Sequence, residues 1–194
     1  MTFAKDGTHP LLPPQPKLDT FGNLCVRPPF EGLPFRRFLT NDGTGNTGIF
    51  NLIGNYSAAP TDFYYQPPDD FNIFSLRITI SGSSIRRDDY GSINNGLTNG
   101  VQFWLRNLLN QEARLIHHEN IKNNQDWLVV GTDSRVSNFS GNDQVLIIDF
   151  NVIDLFGMAF MIPKNYKFIV RLNDNFTGLT NHTYSLRGIL QQPI

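Results

Sequence analysis

The chain has 194 residues, of which 40% are apolar and 17% charged, with a formal net charge of −1. That is enough apolar content for one core and too little length for two full domains. It also excludes the basic stripe that nucleic-acid binders carry, so no nucleic acid is expected as a partner.

A single cysteine, Cys25, rules out an intrachain disulfide framework. No apolar run reaches the ~20 residues of a membrane helix. The opening MTFAKDGTHPLLPPQP lacks a basic region followed by an apolar one, so neither a signal peptide nor a membrane partner is expected, and the product is expected to be made in a cytosol and to stay soluble or assemble there. Asn, Thr, Ser and Gln replace the missing charge. A polar but nearly neutral surface lacks the repulsion that keeps monomers apart, which points to self-association.

Residues 1–34 hold seven of the 12 prolines. Proline fixes φ and removes a backbone donor, so this stretch is expected to be an extended arm rather than a helix or central strand. The arm also carries Leu11, Leu12, Leu18, Phe21 and Phe30, more apolar side chains than a solvated tail needs. These five are the expected partner-binding residues, gripping a neighbouring subunit or the arm's own domain. Residues 35–194 are then the folded domain.

Within it, residues 35–40 (FRRFLT) read as a strand, the cluster NDGTGNTG as a turn, and residues 49–53 as a second strand. Residues 61–66 form a short aromatic strand, followed by a turn at PPDD. Residues 71–81 alternate, with Phe74, Leu76, Ile78 and Ile80 on one face and Ser75, Arg77, Thr79 and Ser81 on the other. Period two with one apolar face predicts a half-buried antiparallel strand. Residues 82–100 are long and polar, a loop of the kind often found at interfaces. Asn99-Gly100 signals a tight turn, after which Val101, Phe103 and Leu105 alternate.

Further strands are expected at 113–118, 144–152, 167–173 and 182–190, with one helical turn in 120–127. Residues 132–143 read as a polar loop, 155–161 as an apolar loop, and 174–181 as a hairpin joining the last two strands. About eight strands separated by turn signals predict an all-β fold: an antiparallel β-sandwich, jelly-roll-like, with a long extended Pro-rich N-terminal arm.

No catalytic constellation emerges. His117 and His118 are adjacent, so on a strand they point to opposite faces and cannot readily share a metal, and only His9 and His182 remain. The acidic pairs Asp69-Asp70 and Asp88-Asp89 lack a calcium-loop frame. No nucleophile elbow, P-loop or dinucleotide fingerprint is present. No catalytic residue, metal or cofactor is therefore expected. Four Asn-x-Ser/Thr triplets, at Asn55, Asn138, Asn175 and Asn181, read as products of composition. Phe63, Tyr64, Tyr65, Trp104 and Trp127 could stack on sugars, but their place in strand patterns favours the core.

The DFYYQP segment at 62–67, the strand at 73–80, the turn GLTNGV at 96–101 and the segment IKNNQDW at 121–127 together resemble a group of small tailed-phage virion proteins. The likeness covers about a third of the chain and leaves out the Pro-rich arm. It implies a non-enzymatic β-sandwich component of the particle: a decoration or cement protein, or a spike or fibre base. Its implied partners are the major capsid protein or portal and tail components, and further copies of itself, a trimer being favoured. The virion is the implied location. The alternative is a host-receptor or carbohydrate-binding module of the same particle.

Overall fold

The computed structural model describes residues 17–18, 24–25, 33–82, 84–116, 119–140, 143–156 and 160–190. The chain divides into two compact units, Met1–Glu31 and Gly32–Ile194. In the first, β1 (Lys17–Leu18) and β2 (Leu24–Cys25) pair antiparallel.

The second unit is an antiparallel sandwich. In chain order it contains β3 (Leu33–Phe38), β4 (Thr61–Tyr65), β5 (Phe71–Gly82), β6 (Gln102–Arg106) and β7 (Glu112–Arg114). There follow α1 (Asn124–Val130), β8 (Asp133–Ser140), β9 (Asp143–Asn151), α2 (Val152–Phe156), β10 (Phe160–Ile162), β11 (Lys167–Leu172) and β12 (Asn181–Leu190). One sheet runs β3-β12-β5-β9-β8, with β10 also beside β5, and the other runs β4-β11-β6-β7.

With β8 and β10 set aside, each early strand pairs with its mirror late in the chain: β3 with β12, β4 with β11, β5 with β9, β6 with β7. A long hairpin folded over on itself in this way is the jelly-roll strand order. The sequence-based expectation of an all-β, jelly-roll-like sandwich therefore holds. Pro34 is accommodated because β3 is an edge strand, where a missing N–H need not break a ladder.

The core lies between the sheets. Leu76, Ile78, Ile80, Leu146, Ile148, Phe150, Tyr184 and Leu186 face it from the larger sheet. Phe63, Tyr65, Phe103, Phe168, Val170 and Leu172 face it from the smaller one. Each fully buried side chain of this size contributes roughly 1.5–3 kcal/mol before entropy is charged against it.

Several local expectations change. The apolar phase of β5 does not begin at Phe74. Ser75 pairs with Arg187 and Ile73 with Gly188, so Phe74 is the extra residue of a bulge, and Phe71 and Ile73 enter the core ahead of it. Gly188 is required there, because a Cβ at this position would lie 1.9 Å from the Asn72 carbonyl oxygen.

Residues 49–53 form no strand; Leu52 instead anchors a loop, its N–H donating to the His182 carbonyl at 2.7 Å. Residues 133–140 are an edge strand, not a loop. Much of β8 stays exposed, so no buried face imposed alternation on it. The expected strand at 113–118 is only Glu112–Arg114, cut short where Ile116 adopts φ +69°. The helix continues to Val130, its start fixed by a capping box between Asn123 and Asp126. The apolar segment 155–161 contributes the end of α2 and the start of β10.

The last two strands form no hairpin, since β11 and β12 belong to different sheets. Their connection crosses between the sheets, held by buried Phe176 and Leu179 and by Asp174.

Candidate interaction surfaces

The GLTNGV turn is built around a carboxylate. Asp174, 6% exposed, accepts the N–H groups of Thr98 at 2.9 Å, Asn99 at 3.1 Å and Gly100 at 2.8 Å. Gly100 has φ +80°, and a Cβ on it would lie 2.8 Å from the Ile121 carbonyl. Successive N–H groups converging on an anion form a cradle, filled here by the chain's own side chain. Asn99-Gly100 thus lies at a bend held by Asp174, between loops rather than in a two-strand hairpin.

Residues 82–100 are likewise held from within. The buried Asn124 amide accepts from Gly91 N–H at 2.7 Å and donates to the Arg86 and Gly91 carbonyls. Asp89 accepts from Asn95 N–H at 3.0 Å. Two of the Asn-x-Ser/Thr triplets are turn devices. Asn55 and Asn175 each accept both the N–H and the hydroxyl two residues on, and the two asparagines form a β-bridge.

His182 sits in the core, not at a surface. Its Nε2 lies 2.9 Å from the Tyr90 hydroxyl and 2.8 Å from that of Tyr184, and the two hydroxyls are 2.9 Å apart. Phe176 stacks on the imidazole at 4.7 Å. Burial lowers the His182 pKa to about 3, so the ring is neutral, and burial raises both tyrosines well above their ordinary value. Trp127 Nε1 is buried beside this triangle, next to the Tyr90 hydroxyl. Among the described residues no group of three potential ligands gathers around a metal position. His9, His117 and His118 lie outside the described residues.

Of the five aromatics, Phe63, Tyr65 and Trp127 are buried. Tyr64 and Trp104 reach the outer face of the smaller sheet. Register places Tyr64, Ile169, Trp104 and Arg114 in one cross-strand row, flanked by Asp62, Arg171 and Gln102 on one side and by Lys167, Arg106 and Glu112 on the other. Lys167 lies 4.6 Å over the Tyr64 ring, and Arg114 and Arg171 lie 5.4 and 5.5 Å from the Trp104 ring. These cations occupy the ring faces that a sugar would need.

Around the rings runs a closed ion network. Arg171 donates to Asp62 at 2.7 and 3.0 Å and to Glu112 at 2.9 Å, while Arg106 donates to Asp62 at 2.7 Å and to Glu112. Hydrogen bonds from Arg171 hold Glu112 below the ordinary carboxylate range. Burial raises Asp62, but Arg171 and Arg106 together outweigh it and bring Asp62 down as well. Both carboxylates are therefore ionised and clamped, with no proton to donate.

Apolar groups do reach the surface at the β6–β7 turn, where Leu108 is 68% and Leu109 79% exposed. The turn is rigid. Asn107 Oδ1 accepts the N–H groups of Leu109 and Gln111 at 2.9 Å each, and its amide donates to Gln111 Oε1 at 2.7 Å. Leu128, Val129 and Val136 form further exposed apolar positions on α1 and β8. Sequence reading missed these, although two adjacent leucines inside a turn flanked by Asn107 and Asn110 carried the signal. Of the expected arm residues, Leu11, Leu12, Phe21 and Phe30 lie outside the described residues, and Leu18 is placed in β1.

No protein-family model, no curated protein and no solved structure matches the chain.

Proposed function

We propose that the protein is a non-enzymatic structural component of a tailed-phage particle. It would be a capsid-associated decoration or cement protein, or a spike or fibre base, joined to neighbouring capsid, portal or tail proteins by its N-terminal arm and sandwich surface. It works as a homo-oligomer, a trimer being favoured. Fold alone does not fix function, since jelly rolls serve both capsids and lectins. The observation that carries the reading is the pair of exposed leucines on a turn rigidified by Asn107, because exposed apolar groups on a pre-organised element mark protein contacts. The resemblance of residues 61–101 and 121–127 to virion proteins supports it, as does the nearly neutral surface. A carbohydrate-binding role is less favoured because cations cover the rings of Tyr64 and Trp104, the two candidate aromatics that reach the surface.

Sedimentation of the purified full chain tests the assembly. The wild type is expected to run as an oligomer, and Leu108→Ser/Leu109→Ser to run smaller with an unchanged Tm. A wild type that stays monomeric at high micromolar concentration refutes self-assembly. Absence of the protein from purified particles of the phage that encodes it refutes the virion role.

A further inference from the structure

The outer face of the larger sheet carries an unbalanced charge pair. Arg36 on edge strand β3 lies directly opposite Arg187 on β12. Directly opposed residues in an antiparallel pair hold their Cβ atoms about 4.5–5.5 Å apart, and like charges there are unfavourable. The same cross-strand row continues through Ser75 to Asn151. Neither residue brings a carboxylate to the arginines.

The neighbouring row shows what a satisfied arginine looks like on this face. Arg77 donates to both oxygens of Asp149 across β5 and β9, at 2.6 and 2.7 Å. That carboxylate is fully engaged by Arg77. Arg36 and Arg187 have no ion pair among the described residues, and the Arg36 guanidinium is packed 4.8 Å over the Phe38 ring. Partial burial, then the charges of Arg187 and Arg77, disfavour the charged form of Arg36.

We propose that Arg36 and Arg187 form an oxyanion site, taking one carboxylate or phosphate group between their two guanidinium forks. Two planar donor groups on adjacent strands match the spread of oxygens on such an anion, as a pair of lysines would not. The packing on Phe38 limits the freedom of Arg36 before the ligand arrives, which lowers the cost of binding. This assignment is independent of the virion reading. A competing explanation is that the charges only keep an edge strand from pairing with another chain.

The two accounts part in a thermal-shift titration of the full chain at constant ionic strength. Inorganic phosphate replaces chloride in one arm, and a glutamate-rich peptide replaces an uncharged peptide in the other. The site predicts that phosphate at about five times its Kd raises the Tm by ~2–4 °C. Arg36→Gln and Arg187→Gln should each lose that rise, and Lys122→Gln, in the loop before α1, should keep it. A larger response to the peptide than to phosphate identifies a partner's acidic side chains as the source, and the reverse identifies free anion. An equal rise with chloride, or a phosphate response retained in both arginine variants, overturns the site. So would a Tm gain in the variants without phosphate sensitivity in the wild type, as edge protection alone predicts.

Discussion

Replacing Asp174 with alanine is expected to be among the most damaging single changes at a polar residue of the sandwich. Its carboxylate accepts three consecutive backbone N–H groups, those of Thr98, Asn99 and Gly100. Hydrogen bonds to a charged group contribute roughly 1.5–3 kcal/mol each, and a buried donor left without an acceptor costs about 1–3 kcal/mol. Thr98 is exposed, so water can replace its lost partner, while Gly100 N–H is buried and cannot be rescued in that way. The loss for Asp174→Ala is then about 3–5 kcal/mol, a large share of the ~5–15 kcal/mol total of an ordinary domain. Asp174→Asn keeps one carbonyl oxygen and should lose about 1–3 kcal/mol. Urea unfolding followed by tryptophan fluorescence measures both, and hydrogen exchange at residues 98–100 should accelerate ahead of the β5 amides. A loss below about 1 kcal/mol for the alanine variant, or equal losses for both variants, would refute the cradle as the reason for the GLTNGV turn.

Three further outcomes follow from the geometry. His182 is neutral in the folded chain because burial lowers its pKa to about 3, whereas the unfolded chain takes up a proton near 6.5. Stability from this residue is therefore complete above pH 6.5 and falls as pH drops towards 3, by about 1.4 kcal/mol per pH unit. Unfolding free energies from urea titrations at pH 7 and 4.5 should differ by ~3 kcal/mol more in the wild type than in His182→Gln, and parallel pH profiles would refute the assignment. Gly188→Ala should cost about 3 kcal/mol, since its Cβ meets the Asn72 carbonyl rather than a movable side chain, and calorimetry would register this as a lower Tm. Asn123→Ala should cost about 1 kcal/mol by removing the acceptor for Asp126 N–H. Asp126→Ala, which frees the Asn123 N–H on the other side of the box, should add less than its own single loss when the two are combined.

How much of this was legible in the chain varies with how far apart the interacting residues lie. The alternation of Leu76, Ile78 and Ile80 identified the central strand without any partner, because a half-buried strand writes its period into its own residues. Turn clusters such as NDGTGNTG and PPDD could be placed for the same local reason. Residues 133–140 could not be read as a strand, since β8 is exposed along much of its length and pairs with one strand, β9. The Phe74 bulge was equally invisible, because it depends on the pairing of Gly188 with Ile73, more than a hundred positions away.

The sequence by itself determined an all-β sandwich with a neutral, polar exterior and no recognisable catalytic motif. Only the tertiary structure decided that β11 and β12 part to opposite sheets and that Asp174 fills the cradle at 98–100. It alone placed His182 against two tyrosines and set Arg36 opposite Arg187. The physical reason is that periodicity and turn chemistry act over a few residues, while register and side-chain partnership arise from strands that meet only after the chain has folded over on itself.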